Sequence, residues 1–250
     1  MFPEERQQAI LEQLERDGRV YVKSLSEKFQ VTDDRIRKDL GALETDGKLK
    51  RTYGGAVARR ENPRFEKTTD DEAKKKIATA AVKLIRESDL IFLDISKTNV
   101  AVAELLLTMD REIRVATNMI EVLVKLSQAP KIKLIFTGGT INRNRDGFFG
   151  SMSLEFLSKL KPDIAFVGAV GVDVKENSVS TYDIEDGISK AKIISMSKTS
   201  YVVAESMKLN SEGNYNYATL DELNGLITDE KPSEDIVRAA EEYGVKIILP

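Results

Sequence analysis

The sequence of 250 residues predicts an α/β protein in two parts: a small N-terminal head of helices and a hairpin, and a larger domain on a mostly parallel sheet. Three observations predict it. Ser24 stands three residues before Glu27, Thr32 heads a second amphipathic stretch and Gly54-Gly55 follows, which reads as two helices and a hairpin. Residues 59–71 are polar and carry Pro63, the composition of a linker. From there to residue 250, short apolar runs alternate with amphipathic stretches, the rhythm of parallel strands and covering helices. The expected division is 1–58, a linker at 59–71, and 72–250.

Pro3 to Arg16 reads as a first helix with Ala9, Ile10, Leu11 and Leu14 as its apolar face and Asp17-Gly18 as its stop. Val20 and Val22 form a short extended piece. Ser24 and Glu27 make a capping box, so a second helix begins near Leu25 and carries Leu25 and Phe29 inward. Gln30-Val31-Thr32 breaks it. Thr32 caps a third helix, and Asp33 and Asp34 suit its positive first turn. Ile36, Leu40 and Leu43 form its buried stripe. At about 100° per residue, Asp34, Lys38, Gly41 and Thr45 lie opposite, flanked by Arg35 and Arg37. After Gly47, residues 48–57 form two short strands around a Gly-Gly turn, with Lys50 and Arg51 on them. A low outer face edged by basic side chains suits a DNA major groove. The plain alternative is a charged helix and hairpin on any protein surface.

In the larger domain the expected order is a helix over 72–86, a strand over 90–93, a helix over 99–107 and a strand over 113–116. Next come a helix over 118–127, a strand over 132–136, a helix over 153–160 and a strand over 164–170. A helix over 184–197, strands over 201–204 and 226–228, a helix over 233–243 and a last strand over 245–249 complete it. In such a sheet, ligands sit beyond the carboxyl ends of the strands. Three loops there are suggestive. Asp94-Ile95-Ser96-Lys97-Thr98 opens a helix, so its amides, hydroxyls and the Lys97 ammonium can hold a phosphate. Thr117-Asn118 follows the second strand. Thr137-Gly138-Gly139-Thr140 follows the third, and its glycines permit close backbone approach. Each loop alone reads more readily as a plain helix cap; three at successive strand ends make an anion pocket an even alternative.

A 41% hydrophobic and 32% charged composition is that of a soluble globular chain, and no run of about 18 apolar residues predicts a membrane span. The N-terminus has no signal-peptide pattern, so the expected location is the cytoplasm. With no cysteine and no histidine, thiolate nucleophiles, disulfides, Cys/His zinc sites and imidazole acid-base chemistry are excluded; no metal site or cofactor is expected. Residues 1–60 hold 13 Lys+Arg against 11 Asp+Glu, leaving 25 against 30 in the remainder, so the small basic excess belongs to the head.

Val31-Thr32-Asp33-Asp34-Arg35-Ile36-Arg37-Lys38-Asp39-Leu40, followed by Leu49-Lys50-Arg51-Thr52-Tyr53-Gly54-Gly55-Ala56, resembles the winged helix-turn-helix signature of DeoR-family bacterial transcriptional regulators. That signature is close to Val-Ser-x-x-Thr-Ile-Arg-Arg-Asp-Leu and then Arg-x-His-Gly-Gly-Ala. Arg35 stands where the family usually has Thr, and Tyr53 where it usually has His. With the helix geometry above, the resemblance implies DNA contact by Thr32, Asp34, Arg35, Arg37, Lys38, Thr45, Lys50, Arg51, Tyr53 and Gly54. It extends over nearly the whole chain. The family's sensor domain is similar to ribose-5-phosphate isomerase and binds phosphorylated sugars or related intermediates, which usually relieve repression. Asp94-Ile95-Ser96-Lys97-Thr98 stands for Asp-x-Gly-Thr-Thr, so Ser96 and Lys97 are departures. Thr117-Asn118, Gly138-Gly139 and Phe148-Phe149-Gly150 look like the later motifs. Gly168-Ala169-Val170-Gly171-Val172-Asp173 resembles Gly-Ala-Asp-Gly-Ile-Asp, with Val170 replacing the first acid. Glu185 and Lys190 match the Glu and Lys of the following helix, and Ala204-Glu205-Ser206-Met207-Lys208 resembles Ala-Asp-Ser-Ser-Lys. The implied effector set is Asp94, Ser96, Lys97, Thr98, Thr117, Asn118, Gly138, Gly139, Gly150, Asp173, Glu185, Lys190 and Lys208.

The rival from another class is a sugar-phosphate isomerase with an accessory head, using Asp173, Glu185 and Lys190 for proton transfer. Val170 removes an acid that related isomerases keep, and no Lys-Gly-Gly-Gly-Gly loop occurs. A head that binds only protein is disfavoured by its outward basic residues. The expectation is a non-enzymatic regulator, a repressor of a sugar-metabolism operon. Its expected partners are double-stranded operator DNA, a phosphorylated sugar and further copies of itself in a homodimer or homotetramer.

Overall fold

In the computed structural model, residues 3–17, 19–45, 48–52, 54–58, 71–144 and 146–250 are described. Two units are present, Met1–Thr68 and Thr69–Pro250. The first holds α1 (Pro3–Asp17), β1 (Arg19–Tyr21), α2 (Val22–Phe29), α3 (Asp33–Thr45), β2 (Leu49–Thr52) and β3 (Gly55–Ala58). Ile10, Leu14, Leu25, Ile36, Leu40, Leu43 and Leu49 pack as its core, so the stripe on α3 is buried as expected. Thr32 caps α3, its hydroxyl oxygen accepting from the Arg35 amide at 3.4 Å.

The expected capping box at Ser24 does not form. α2 begins three residues earlier than expected, at Val22 instead of Leu25, with Tyr21 as N-cap and no side-chain cap bond. Its first amide is satisfied from elsewhere: Val22 N–H donates to the Gly54 carbonyl at 2.9 Å. Val22, expected in an extended piece, is therefore helical, and Ser24 lies exposed inside the helix. The wing also gains a strand. β2 and β3 pair antiparallel with Thr52 opposite Gly55, and β1 pairs on the other side of β3, Tyr21 opposite Gly55. A Cβ on Gly55 would lie 2.0 Å from the Val20 carbonyl oxygen, so the β1–β3 approach requires glycine there.

The second unit runs α4 (Asp71–Lys83), β4 (Leu90–Leu93), α5 (Lys97–Leu106), β5 (Ile113–Thr117), α6 (Ile120–Leu126) and β6 (Ile132–Phe136). Then come β7 (Thr140–Ile141), β8 (Phe148–Phe149), α7 (Ser151–Leu157), β9 (Ile164–Gly168), β10 (Gly171–Asp173), β11 (Ser178–Thr181) and α8 (Ile184–Met196). β12 (Thr199–Val203), β13 (Tyr215–Ala218), β14 (Gly225–Ile227), α9 (Glu234–Glu242) and β15 (Lys246–Ile248) follow. Asp71, assigned by sequence to the linker, opens α4; the rest of that linker, 59–70, lies outside the described residues.

Seven strands form one sheet, ordered β15-β14-β12-β9-β4-β5-β6, and every pairing in it is parallel. Both faces are covered. Ile91 and Leu93 of β4 join a cluster with Ile77, Val102, Leu106 and Val122 from α4, α5 and α6. Phe92 joins another with Leu157, Ile193 and Ile236 from α7, α8 and α9. The chain leaves β4 toward β5 and β6, then returns to place β9 on β4's other side. Strand order reverses between β4 and β9, and in open parallel sheets that reversal opens a ligand crevice. Two features were not expected from sequence: the β7–β8 hairpin, and an antiparallel sheet β10-β11-β13 that ends the expected 164–170 strand at Gly168. No helix among the described residues is long and apolar enough to cross a membrane.

Candidate functional site

On the head, Asp34, Arg35, Arg37 and Lys38 are all exposed along α3, while Ile36 and Leu40 face inward. Asp34 accepts from Arg37 Nη1 at 2.7 Å, an exposed i,i+3 pair. Arg51 is exposed on β2; its amide donates to Glu44 Oε1 at 2.8 Å, tying wing to helix. Its guanidinium reaches across α3, with Nη1 3.5 Å from where a Cβ on Gly41 would stand. Gly54 is exposed in the wing turn with φ +86°. Tyr53 and the side chains of Thr45 and Lys50 lie outside the described residues. Sequence reasoning missed what holds this face. Arg6 of α1 donates Nε to Asp39 Oδ2 at 2.6 Å and Nη2 to Oδ1 at 3.1 Å, with both residues buried.

At the β4–β9 reversal, Asp94 is fully buried. Its Oδ1 accepts from the Gly168 amide at 3.0 Å and from Asn99 Nδ2 at 2.6 Å. Its Oδ2 pairs with Lys190 Nζ, which also reaches Asp186 Oδ1 at 3.2 Å and the Ile95 carbonyl at 3.3 Å. Thr181 donates to Asp186 Oδ2 at 2.7 Å, and Tyr217 donates to the Gly168 carbonyl at 2.9 Å. Burial pushes the Asp94 and Asp186 carboxyls above the ordinary carboxylate value, against the pull of Lys190. Burial also pulls the Lys190 ammonium down, but Asp186 and Asp94 outweigh it, and its pKa is raised. Burial, then the charges of Asp94 and Asp186, push the Tyr217 hydroxyl well above its ordinary value.

The loop after β4 is a helix cap with unspent groups. Ser96 is extended, and its hydroxyl oxygen accepts from the Thr98 amide at 3.2 Å, taking one donor that an anion would otherwise meet. Gly168 leaves room for it: a Cβ there would lie 2.4 Å from Ser96 Cβ. Lys97 pairs with Glu121 Oε2 at 2.6 Å on the surface. Thr98 Oγ1, Asn99 Oδ1 and Asn118 Oδ1 are buried and have no hydrogen-bond partner. Thr117 Oγ1 accepts from the Met119 amide at 3.0 Å, and the Asn118 carbonyl accepts from Phe148 N–H at 3.0 Å. Gly138 and Gly139 have φ of +63° and +119°, and a Cβ on Gly139 would lie 2.4 Å from the Phe149 carbonyl oxygen. Gly150, at φ +96°, is the N-cap of α7.

The structure does not gather all the expected effector residues. Asp173 Oδ1 accepts from the Lys175 and Glu176 amides at 3.0 Å each, and Asp173 lines a cavity of about 580 Å³ with Glu176, Ser178, Glu212, Gly213, Asn214 and Asn216. None of the other expected effector residues lines it. Glu185 is exposed and stands outside the Lys190 cluster; its neighbour Asp186 holds that place. Asp186 lies four residues before Lys190, a spacing that puts two helical side chains on one face and could have revealed it. Lys208 pairs with buried Glu205 at 2.5 Å, another acid not singled out from sequence.

Comparison with known proteins agrees with both units. A family model described as the DeoR C terminal sensor domain matches residues 69–230, and one described as a DeoR-like helix-turn-helix domain matches residues 6–62. The HTH-type transcriptional repressor GlcR of Bacillus subtilis (strain 168) is 32% identical over 254 residues, covering 100% of this chain and 97% of GlcR. The lactose phosphotransferase system repressor of Lactococcus lactis subsp. lactis is 31% identical, covering 97% of each chain. The glycerol-3-phosphate regulon repressor of Escherichia coli (strain K12) is 26% identical, covering 98% of each. Among solved structures, ribose 5-phosphate isomerase A from Methanocaldococcus jannaschii aligns at 18% identity and a TM-score of 0.43 over 57% of this chain and 55% of the isomerase.

Proposed function

The chain belongs to the DeoR family of transcriptional regulators, and from that premise we propose that it represses a carbohydrate-metabolism operon and releases it when a phosphorylated sugar binds. α3 lies in the major groove of operator DNA, with Lys38 toward the bases and Arg35, Arg37, Lys50 and Arg51 toward phosphates. The effector binds beyond the carboxyl ends of β4, β5 and β9, in the cytoplasm, where the protein sits on the nucleoid through its operator. Thr98 Oγ1, Asn99 Oδ1 and Asn118 Oδ1, three buried and unpartnered polar atoms at adjoining strand ends, carry this reading. Two amide oxygens and a hydroxyl match the donors and acceptors of a polyhydroxylated ligand. The α5 N-terminus beside them suits its phosphate. The relatives named for glycerol-3-phosphate and a lactose phosphotransferase system support the same ligand class.

The isomerase alternative needs a lysine or carboxylate free to move a proton on substrate. Lys190 is sealed between Asp94 and Asp186, Asp173 is engaged in its own turn, and Glu185 stands exposed outside the Lys190 cluster, so the three do not converge on one substrate, which favours a sensor over an isomerase. Thermal-shift screening against a panel of sugar phosphates, followed by titration of each hit with and without operator, tests the scheme. Linkage requires operator DNA to weaken effector binding by the same factor as effector weakens operator binding. An effector affinity that operator DNA leaves unchanged defeats it.

A further inference from the structure

Leu93 and Thr117 stand opposite each other where β4 and β5 end, and the loops beyond them run side by side. Four residues past each, an ion pair joins the two loops: Lys97 Nζ, opening α5, meets Glu121 Oε2, in the first turn of α6, at 2.6 Å. Lys97 is 57% exposed and Glu121 40%, so the pair lies at the surface. The same loops supply the buried polar atoms that lack partners. Thr98 and Asn99 follow Lys97 in the chain and Asn118 lies three residues before Glu121, each at most 1% exposed. The backbone leaves much of the charge recognition to Lys97, because Ser96 Oγ already takes the Thr98 amide that an anion at the start of α5 would meet. An anion arriving here therefore draws on Lys97, and Glu121 already holds Lys97.

We infer that Glu121 is a built-in competitor anion at the effector site, occupying Lys97 in the ligand-free protein and giving way to the phosphate of a ligand. This rests on the effector reading above. The exchange is easy in the forward direction. An exposed carboxylate–ammonium pair is weakly held, whereas a phosphate brings up to two charges to the positive end of α5. Glu121 is not stranded when Lys97 leaves it. It stays in the first turn of α6, where a negative charge is favoured, and Lys125 follows it by one turn on the same face. Lys125 is bonded to Glu104 at 2.6 Å, and that bond, then the charges of Glu104 and Glu121, hold its ammonium above the ordinary value against desolvation. The competitor sets a threshold. Bare phosphate gains only Lys97 and the helix start, so Glu121 keeps its binding weak. A sugar phosphate also meets Thr98, Asn99 and Asn118, which restores the affinity that displacing Glu121 takes away.

Thermal-shift titration of the full chain with inorganic phosphate at fixed ionic strength tests it. Glu121→Gln binds phosphate about fivefold more tightly than the wild type, because nothing holds Lys97 back. Lys97→Met binds it about tenfold more weakly. Damage to the fold does not produce a gain in affinity. Asp110→Asn removes the same charge from a surface pair with Lys131 at the opposite end of the sheet, and it leaves phosphate binding as it was. A Glu121→Gln chain that binds phosphate no better than the wild type, an Asp110→Asn chain that gains as much, or no phosphate binding by any variant overturns the inference. The sugar-phosphate screen is read separately. A hit that binds wild type and Glu121→Gln equally defeats the inference and leaves the repressor reading standing; a screen without hits beside a fivefold phosphate gain does the reverse.

Discussion

Arg6 grips Asp39 with two hydrogen bonds, Nε to Oδ2 at 2.6 Å and Nη2 to Oδ1 at 3.1 Å, inside the head. The pair ties α1 to the inner side of α3, the helix proposed above to read DNA. Breaking a buried pair from one side strands the other charge, at a cost of about 3–5 kcal/mol. Asp39→Ala should therefore unfold the head at lower urea, read by far-ultraviolet circular dichroism. The double change Arg6→Met with Asp39→Leu should recover much of the loss. A loss for Asp39→Ala below about 1 kcal/mol would rank this pair with exposed ones.

Gly55 and Gly54 adjoin in the wing but are needed for different reasons. A Cβ on Gly55 meets the Val20 carbonyl at 2.0 Å, whereas one on Gly54 meets nothing and only strains a backbone at φ +86°. Gly55→Ala must force β1 and β3 apart, and both the register of the wing and the Val22 amide bond to the Gly54 carbonyl suffer. Forcing extra atoms into a packed site costs about 1–3 kcal/mol. Gly55→Ala should weaken operator binding more than Gly54→Ala in a gel-shift titration. Equal losses would place the requirement in the turn instead.

What was legible in the sequence was local. The Ile36, Leu40 and Leu43 stripe and the strand-helix alternation follow from periodicity, and the structure keeps them. What was hidden was long-range. Nothing near Val22 announces that its amide will find Gly54, so the Ser24 and Glu27 pattern misplaced the helix start. Asp39 could not be matched to Arg6, nor β13 to β11, because folding alone brings them together. At the strand ends, Asp94 was found as the residue closing β4 and Lys190 through its motif. Their union was not visible, and neither were Glu121 and Glu205, which occupy the two lysines expected to be free for ligand, Lys97 and Lys208.

Asp94 and Asp163 should pull the pH dependence of stability in opposite directions. Burial, opposed by Lys190, raises the Asp94 carboxyl above 3.8, while the Leu90 amide and then Lys198 hold Asp163 below 3.8. A raised folded value means the native state binds more protons, so Asp94 contributes stability below the unfolded value that is lost as pH rises through the folded one. Asp163 does the reverse: its contribution stands above the unfolded value and is lost as pH falls through the lowered one. Lys190, raised above 10.5, keeps its contribution until pH climbs past that value. In urea unfolding across pH, Asp94→Asn should remove a downward slope that begins above about pH 4, and Asp163→Asn should soften the acid loss below it. A steeper fall in Asp94→Asn would contradict the assignment.

Lys38 and Arg51 are both exposed cations on the head, yet they should fail differently. Lys38 stands exposed on α3 opposite the buried Ile36 and Leu40 stripe, the side proposed above to face the bases. Arg51 comes from the wing, with its amide held by Glu44 and its guanidinium across Gly41, a position suited to a phosphate at the groove edge. A lost phosphate contact removes about 0.9 from the log-log salt slope and weakens all sequences alike. Arg51→Ala should do that to operator and random DNA equally. Lys38→Ala should lower operator affinity more than random affinity, with a smaller change in slope. If Lys38→Ala instead lowered both equally with a full unit of slope, Lys38 would be a phosphate contact and base reading would pass to its neighbours on α3.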